Sequence, residues 1–186
     1  MSEREVKHWS EIFAERIVGE KRKPFVVASG ITTSGPTHAG TACEFLYPSA
    51  LVKYLVDHGY PVEFVFNGDI MDAFDSVPEP LKSFTWLKQH LGRPLCMVPD
   101  PYECCSSYGH HFLNEADGIM KRLEIAPKIL PADEVVRHGR YDAYARLFHE
   151  RLDEVKAIAK EIQVMSGLTG LPDWVDIVMP VCGNCG

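Results

Sequence analysis

The sequence predicts an α/β fold, a parallel sheet with flanking helices. Three observations carry that prediction. Phe25, Val26, Val27 and Ala28 form a short apolar run that breaks at Ser29-Gly30 into a loop of small hydroxyl residues and glycine, and a helical stretch follows from about Thr41 to His58. Val62 to Phe66 is nearly continuous in apolar residues, as a strand buried in a parallel sheet is. Strand, helix and strand succeed one another within residues 24–66, the span of a βαβ unit with a right-handed crossover. The organisation is Rossmann-like.

Composition agrees with a globular domain. The chain has 186 residues, 46% hydrophobic and 24% charged, enough for a real core. A net charge of −7 argues against a dedicated nucleic-acid-binding module, which is normally basic. No signal peptide opens the chain and no run reaches membrane-spanning length, so the expected setting is the cytoplasm, with its six cysteines as thiols.

Taken in order, residues 1–23 predict an amphipathic helix with Val6, Trp9, Ile12, Phe13 and Ile17 as its packed face and Lys21, Arg22 and Lys23 at its end. The first strand is expected over about 24–29. The next helix turns Phe45, Leu46, Ala50, Leu51, Tyr54 and Leu55 to the sheet, with Gly59 as its C-terminal stop and Pro48 tolerable near the first turns or with a kink. Residues 81–91 read as a helix ending at Gly92, and 108–123 as another. A strand near Lys128 to Leu130 and a small helix from Pro131 follow. Asp142 to about Met165 reads as one long helix, with Leu147, Phe148, Leu152, Val155, Ile158, Ala159, Ile162 and Met165 in its stripe. Domain organisation is expected as 1–170 and a separate terminal segment, 171–186.

The loop after the first strand has the chemistry of a phosphate site. Glycine lets backbone approach a ligand, and the following helix offers free N–H groups and the positive end of its dipole. Thr33, Ser34, Gly35, Pro36, His38 and Gly40 are the candidates for holding a phosphate. An ordinary strand-to-helix connection, with His38 as a capping residue, is the competing reading. Asp69 and Asp72 follow the second strand, where ligands of open α/β sheets bind, and carboxylates there suit an ammonium, a ribose or Mg2+. Tyr108 is a candidate for the wall of a substrate pocket. The group Cys104, Cys105, His110 and His111 does not read as a zinc site, because adjacent ligands do not easily all turn inward at tetrahedral angles. Cys182-Gly-Asn-Cys185 does have metal-ligand spacing and supplies half of a zinc site.

Thr37-His38-Ala39-Gly40 resembles the His-Ile-Gly-His motif of class I aminoacyl-tRNA synthetases. The wider run from Ser29 to Gly35, the Asp-rich turn from Asn67 leading to Val77-Pro78, and Pro99-Asp100-Pro101 before Ser107-Tyr108 resemble the class I lysyl-tRNA synthetases of archaea and some bacteria. The resemblance implies a HUP-type fold, the first half of a class I catalytic domain. It implies lysine activation with ATP and Mg2+, then transfer to tRNA(Lys), and it makes the phosphate held by Thr33, Ser34, Gly35, Pro36, His38 and Gly40 that of ATP, with His38 and Gly40 as catalytic residues and Gly30 and Thr32 at the amino-acid pocket. It also places the start of a zinc-binding insertion at Cys182 and Cys185. Two stretches depart from the family pattern, Thr41-Ala42-Cys43 and Asp75-Ser76, where relatives carry Asn or basic groups. The second family motif, Lys-Met-Ser-Lys-Ser, is absent. The chain is therefore expected not to aminoacylate tRNA alone, and lysine-dependent exchange between ATP and pyrophosphate would overturn that. The alternatives are a non-catalytic synthetase-like binding module and another nucleotidyltransferase of the superfamily, such as a pantothenate-synthetase-like enzyme.

Overall fold

Three strands make one parallel sheet: β1 (Phe25–Thr32), β2 (Val62–Asp69) and β3 (Lys128–Pro131), in that spatial order. The structure is a computed structural model that describes residues 6–20, 23–167 and 182. The chain divides into two compact units, Met1–Asp133 and Glu134–Gly186.

Both long strands outrun the lengths expected from their apolar cores. The ladder continues through Gly30↔Asn67, Ile31↔Gly68 and Thr32↔Asp69. Glycine lowers strand propensity, so the sequence pattern stops early there. At Gly30 it is required by close approach: a Cβ would stand 2.4 Å from the Asn67 carbonyl oxygen. The extension carries Thr32 and Asp69 to the carboxyl end of the sheet, on one face.

The other face is the packed one. Helix α1 (Trp9–Glu20), α2 (Ala39–Asp57) and α3 (Tyr108–Arg122) supply its partners. Ile31, Phe64 and Phe66 meet Phe45 of α2 and Ala116 and Met120 of α3. Ala14 of α1 packs with Phe25, Leu51 and Leu55. The face expected of α1 is only partly the packed one: Ala14, Ile17 and Val18 face inward, whereas Trp9, Ile12 and Phe13 are exposed. A small residue such as Ala14 lets the helix axes approach, and periodicity alone could not choose that side. Gly59 ends α2 as expected, at φ +71° just after the cap residue His58.

Pro48 lies inside α2, beyond its first turns. Proline has no N–H to give the Glu44 carbonyl, a loss that normally weakens a helix interior. Here the hydroxyl of Ser29, from β1, donates to that carbonyl at 2.5 Å. The strand thus supplies the donor the helix lacks.

Residues 79–98 form no long helix. They make 3-10 turns at Glu79–Leu81, Thr85–His90 and Leu95–Met97. Leu81 and Leu87, from two separate 3-10 turns, join a cluster with Phe74, Leu95, Val98, Tyr108 and Phe112, and Phe84 between the turns packs against it. Backbone bonds lace the segment to its neighbours, Phe74 N–H to Arg93 O and Gly92 N–H to Phe74 O, both at 2.8 Å. Gly92, at φ +86°, makes the exit.

A short helix, α4 (Ala132–Arg137), follows β3. In the second unit the expected long helix is two, α5 (Asp142–Glu150) and α6 (Leu152–Met165). Arg151 leaves helical geometry at φ −111° and ψ 26° and pairs with Glu154. Neither helix has a buried residue among those described, and Met165 is 80% exposed. No helix among the described residues is long and apolar enough to cross a membrane.

Candidate functional site

The loop between β1 and α2 opens into a groove of about 320 Å3 lined by Thr32, Ser34, Gly35, Pro36, Thr37, His38 and Thr41, with Pro78 and Pro80 on its far wall. That volume sits at the low end of the roughly 300–1,000 Å3 of small-molecule sites. The fold brings together two stretches distant in sequence, the hydroxyl-rich loop and the segment after Val77. They are in close contact: a Cβ on Gly35 would come within 2.9 Å of the Pro78 ring. Pro78 and Pro80 had no place among the sequence candidates, because they lie some forty residues from the loop that they face.

His38 faces the groove and is exposed. It also caps α2. Its Nδ1 accepts from Gly40 N–H at 3.1 Å and from Thr41 N–H at 3.3 Å. The capping reading of this residue therefore holds, and its ring also lines the groove. Because Nδ1 acts as acceptor, the neutral ring carries its proton on Nε2, which lies 3.3 Å from the Thr41 hydroxyl. The capping has a consequence for anion binding: two of the first amides of α2, those of Gly40 and Thr41, are already engaged by the imidazole.

The remaining candidates spread around this core. Thr33 is 1% exposed and its hydroxyl has no partner among the described residues, so it lies behind the loop rather than in the groove. Gly40 is exposed at the first turn of α2. Gly30 sits in the ladder and Asp69 opposite Thr32. Asp72 is exposed and takes its own neighbour's N–H, from Ala73, at 2.9 Å. Tyr108 is wholly buried and its hydroxyl donates to Ser34 O at 2.7 Å. It stands under the loop and supports it, and burial pushes its phenol well above the ordinary value. A residue that sequence reading missed completes the picture. Glu115, two helical turns after Tyr108 and on the same face of α3, accepts the Thr37 N–H at 2.7 Å. Only its spacing from Tyr108 could have pointed to it.

A second group of donors lies where α3 begins. One ligand atom each from Asp100, Cys104, Cys105 and His111 fall within 4.8 Å of one another. The adjacent histidines do not both turn inward, as expected, but the adjacent cysteines do, because Asp100 organises the turn. Its carboxylate accepts N–H groups of Tyr102, Cys104 and Cys105 at 3.0, 2.9 and 2.7 Å, and Glu103 adopts φ +57°. Both thiols are thereby turned to one side, with Cys104 Sγ 3.3 Å from His111 Nδ1. His110 is not a member; it pairs with Ser107 at 2.8 Å. Burial raises the Asp100 pKa, but the three backbone N–H bonds and the Cys104 thiol outweigh it and hold the carboxyl below its ordinary value. The Cys105 thiol, then burial and Asp100, push Cys104 up to about 11. Two thiols, an imidazole and a carboxylate form the donor set of a borderline-soft cation such as Zn2+. The pair Cys182 and Cys185 lies outside the described residues, save for an exposed Cys182.

Comparison with known proteins bears directly on this arrangement. The family model for class I tRNA synthetases (K) matches residues 7–186. The chain belongs to that family. The lysine–tRNA ligase of Thermococcus kodakarensis is 34% identical over 180 residues, which cover 96% of this chain and 34% of the relative. The lysine–tRNA ligases of Methanosarcina barkeri and Methanocaldococcus jannaschii are each 33% identical, again over 96% of this chain and 32% and 33% of the relatives. The chain thus spans about a third of the length of the curated relatives it matches. The matched class I (K) region includes the groove, the supporting face of α3 and the donor cluster.

Proposed function

We propose that the chain is the ATP- and lysine-binding portion of a lysine–tRNA ligase that works in the cytoplasm. The lysine carboxylate attacks the α-phosphorus of ATP, pyrophosphate leaves, and lysyl-adenylate then passes its lysyl group to tRNA(Lys). No enzyme nucleophile is required. The protein's part is to hold carboxylate and phosphorus in line and to offset charge as it develops. The observation that carries this reading is the groove itself, in which Ser34, Gly35, Pro36 and His38 come together at the carboxyl end of β1.

Within it, Ser34 to Pro36 lie along the nucleotide, and Thr33 closes the loop from behind. His38 offers Nε2–H to phosphate oxygens, with Gly40 leaving room for them. Gly30, Thr32 and Asp69 form the side toward the amino acid, with Asp69 for the α-ammonium and Asp72 for the ribose or for Mg2+. Tyr108 acts on this pocket through the loop it supports. Asp100, Cys104, Cys105 and His111 would hold Zn2+, which would tie the 100–105 turn to α3. Residues 171–186 begin a further insertion, with Cys182 and Cys185 as its first metal ligands.

Titration of the chain with Mg-ATP, followed by calorimetry, tests the reading. Wild type should bind, and His38→Ala should weaken binding by about tenfold or more, the loss of one charge-assisted hydrogen bond in a groove. Equal affinity in the two proteins would remove His38 from the site. A panel of amino acids with ATP present should show lysine binding preferentially.

A further inference from the structure

The donors that line the nucleotide groove are not all available to a ligand. Pro36 has no N–H. The Thr37 N–H is held by Glu115 at 2.7 Å, and those of Gly40 and Thr41 by His38. The Ala42 N–H closes the first helical bond, to His38 O at 2.9 Å. Between residues 36 and 42 the N–H groups of His38 and Ala39 are left without an acceptor among the described residues. The loop therefore presents a defined pair of amides beside the imidazole.

What defines that pair is α3. Ser107 caps this helix, its hydroxyl accepting the His110 N–H at 3.2 Å. The Tyr108 ring is locked between Phe74 and Phe112, with centroids at 4.9 and 4.7 Å, so its hydroxyl has one direction in which to point. It donates to the Ser34 carbonyl. Glu115 takes the Thr37 N–H from the same helix face. Two attachments, three residues apart in the loop, fix both its carbonyl side and its amide side. A carboxylate beside a polyphosphate site repels the ligand, so electrostatics alone would disfavour Glu115 at this place. Its use lies in shaping the loop.

Resting on the nucleotide reading above, we infer that Glu115 and Tyr108 are positioning residues, which clamp residues 34–37 so that His38 N–H, Ala39 N–H and the His38 ring remain the donors for a nucleoside polyphosphate.

The test compares wild type, Glu115→Gln, Glu115→Ala and Tyr108→Phe in two measurements: hydrogen exchange of the Thr37 amide by NMR without ligand, and Mg-ATP affinity by calorimetry. Glutamine retains the acceptor oxygen, and phenylalanine retains the buried ring. The expected pattern is a protected Thr37 amide in wild type and Glu115→Gln, and a loss of that protection in Glu115→Ala. Mg-ATP affinity should fall by about tenfold in Glu115→Ala, recover in Glu115→Gln to within a few-fold of wild type, and fall in Tyr108→Phe with the fold retained. Rescue by glutamine separates an acceptor role from a need for charge. Wild-type affinity in both Glu115→Ala and Tyr108→Phe overturns the inference, as does a Thr37 amide equally protected in every variant. If wild type binds no nucleotide while Thr37 protection still depends on Glu115, the clamp stands and the nucleotide reading falls.

Discussion

The groove at residues 32–41 and the donor cluster at residues 100–111 both lean on α3, and they are built in opposite ways. All of the groove but its proline wall, Pro78 and Pro80, is one contiguous stretch: small residues, backbone amides and one imidazole at a helix start. The cluster is made of side chains that point together only because Asp100 folds the turn between them. The first can be formed by local geometry and trimmed by its neighbours. The second depends on one carboxylate, with two thiols of which one is raised to about 11 by its neighbour Cys105, burial and Asp100. A backbone site tolerates side-chain change where a side-chain site does not.

The largest effect that would break this contrast concerns metal. In a Cys182→Ser/Cys185→Ser background, the chain should take up one Zn2+, measured by elemental analysis, and gain about 4 kcal/mol of stability at free metal near a thousand times Kd. Adding Cys104→Ser and His111→Ala should abolish both, whereas His38→Ala should leave the metal content unchanged. Undiminished zinc in the quadruple variant would show that the cluster is only a packed turn.

A smaller effect sharpens the comparison on the groove side. Ser29→Ala leaves the Glu44 carbonyl without its donor in the helix that Pro48 interrupts. Urea denaturation should show a loss of about 1 kcal/mol, with zinc content intact. A loss near zero would mean that water replaces the hydroxyl.

The smallest effect belongs to neither site. Burial, and then Arg93, hold His90 below its ordinary 6.5. The folded chain thus binds fewer protons than the unfolded one over this range. The contribution of His90 to stability is complete above the unfolded pKa and is lost as pH falls from there through the folded value. His90→Leu should flatten the decline of the thermal midpoint below pH 6.5, with nucleotide and metal binding unchanged. An identical slope in the variant would place His90 in solvent.

Legibility follows the same division. The Phe25–Gly40 run could be read because strand, glycine-containing loop and helix start are consecutive, and each has a local signature. Gly59 was readable as a stop for the same reason, and it has positive φ. Glu115 left only its spacing from Tyr108 as a trace, since an acidic residue on a helix is usually a solvated one. The 81–91 segment misled because its apolar residues at spacing three also fit an α-helical stripe. The stripe from Leu147 to Met165 was visible as periodicity, but the break at Arg151 was not, and periodicity says nothing of what a stripe packs against.

What the amino-acid order determined by itself was the parallel α/β framework, the place of the small-residue loop after β1 and the family. These rest on interactions between near neighbours, apolar runs, glycine punctuation and helix starts, which are written in consecutive residues. Only the tertiary structure decided that Tyr108 lies beneath the loop, that Glu115 holds Thr37, that Ser29 serves the Glu44 carbonyl, and that Asp100 gathers two thiols and an imidazole. Each of these joins groups through directional bonds of about 3 Å, and such bonds depend on the path of the whole chain.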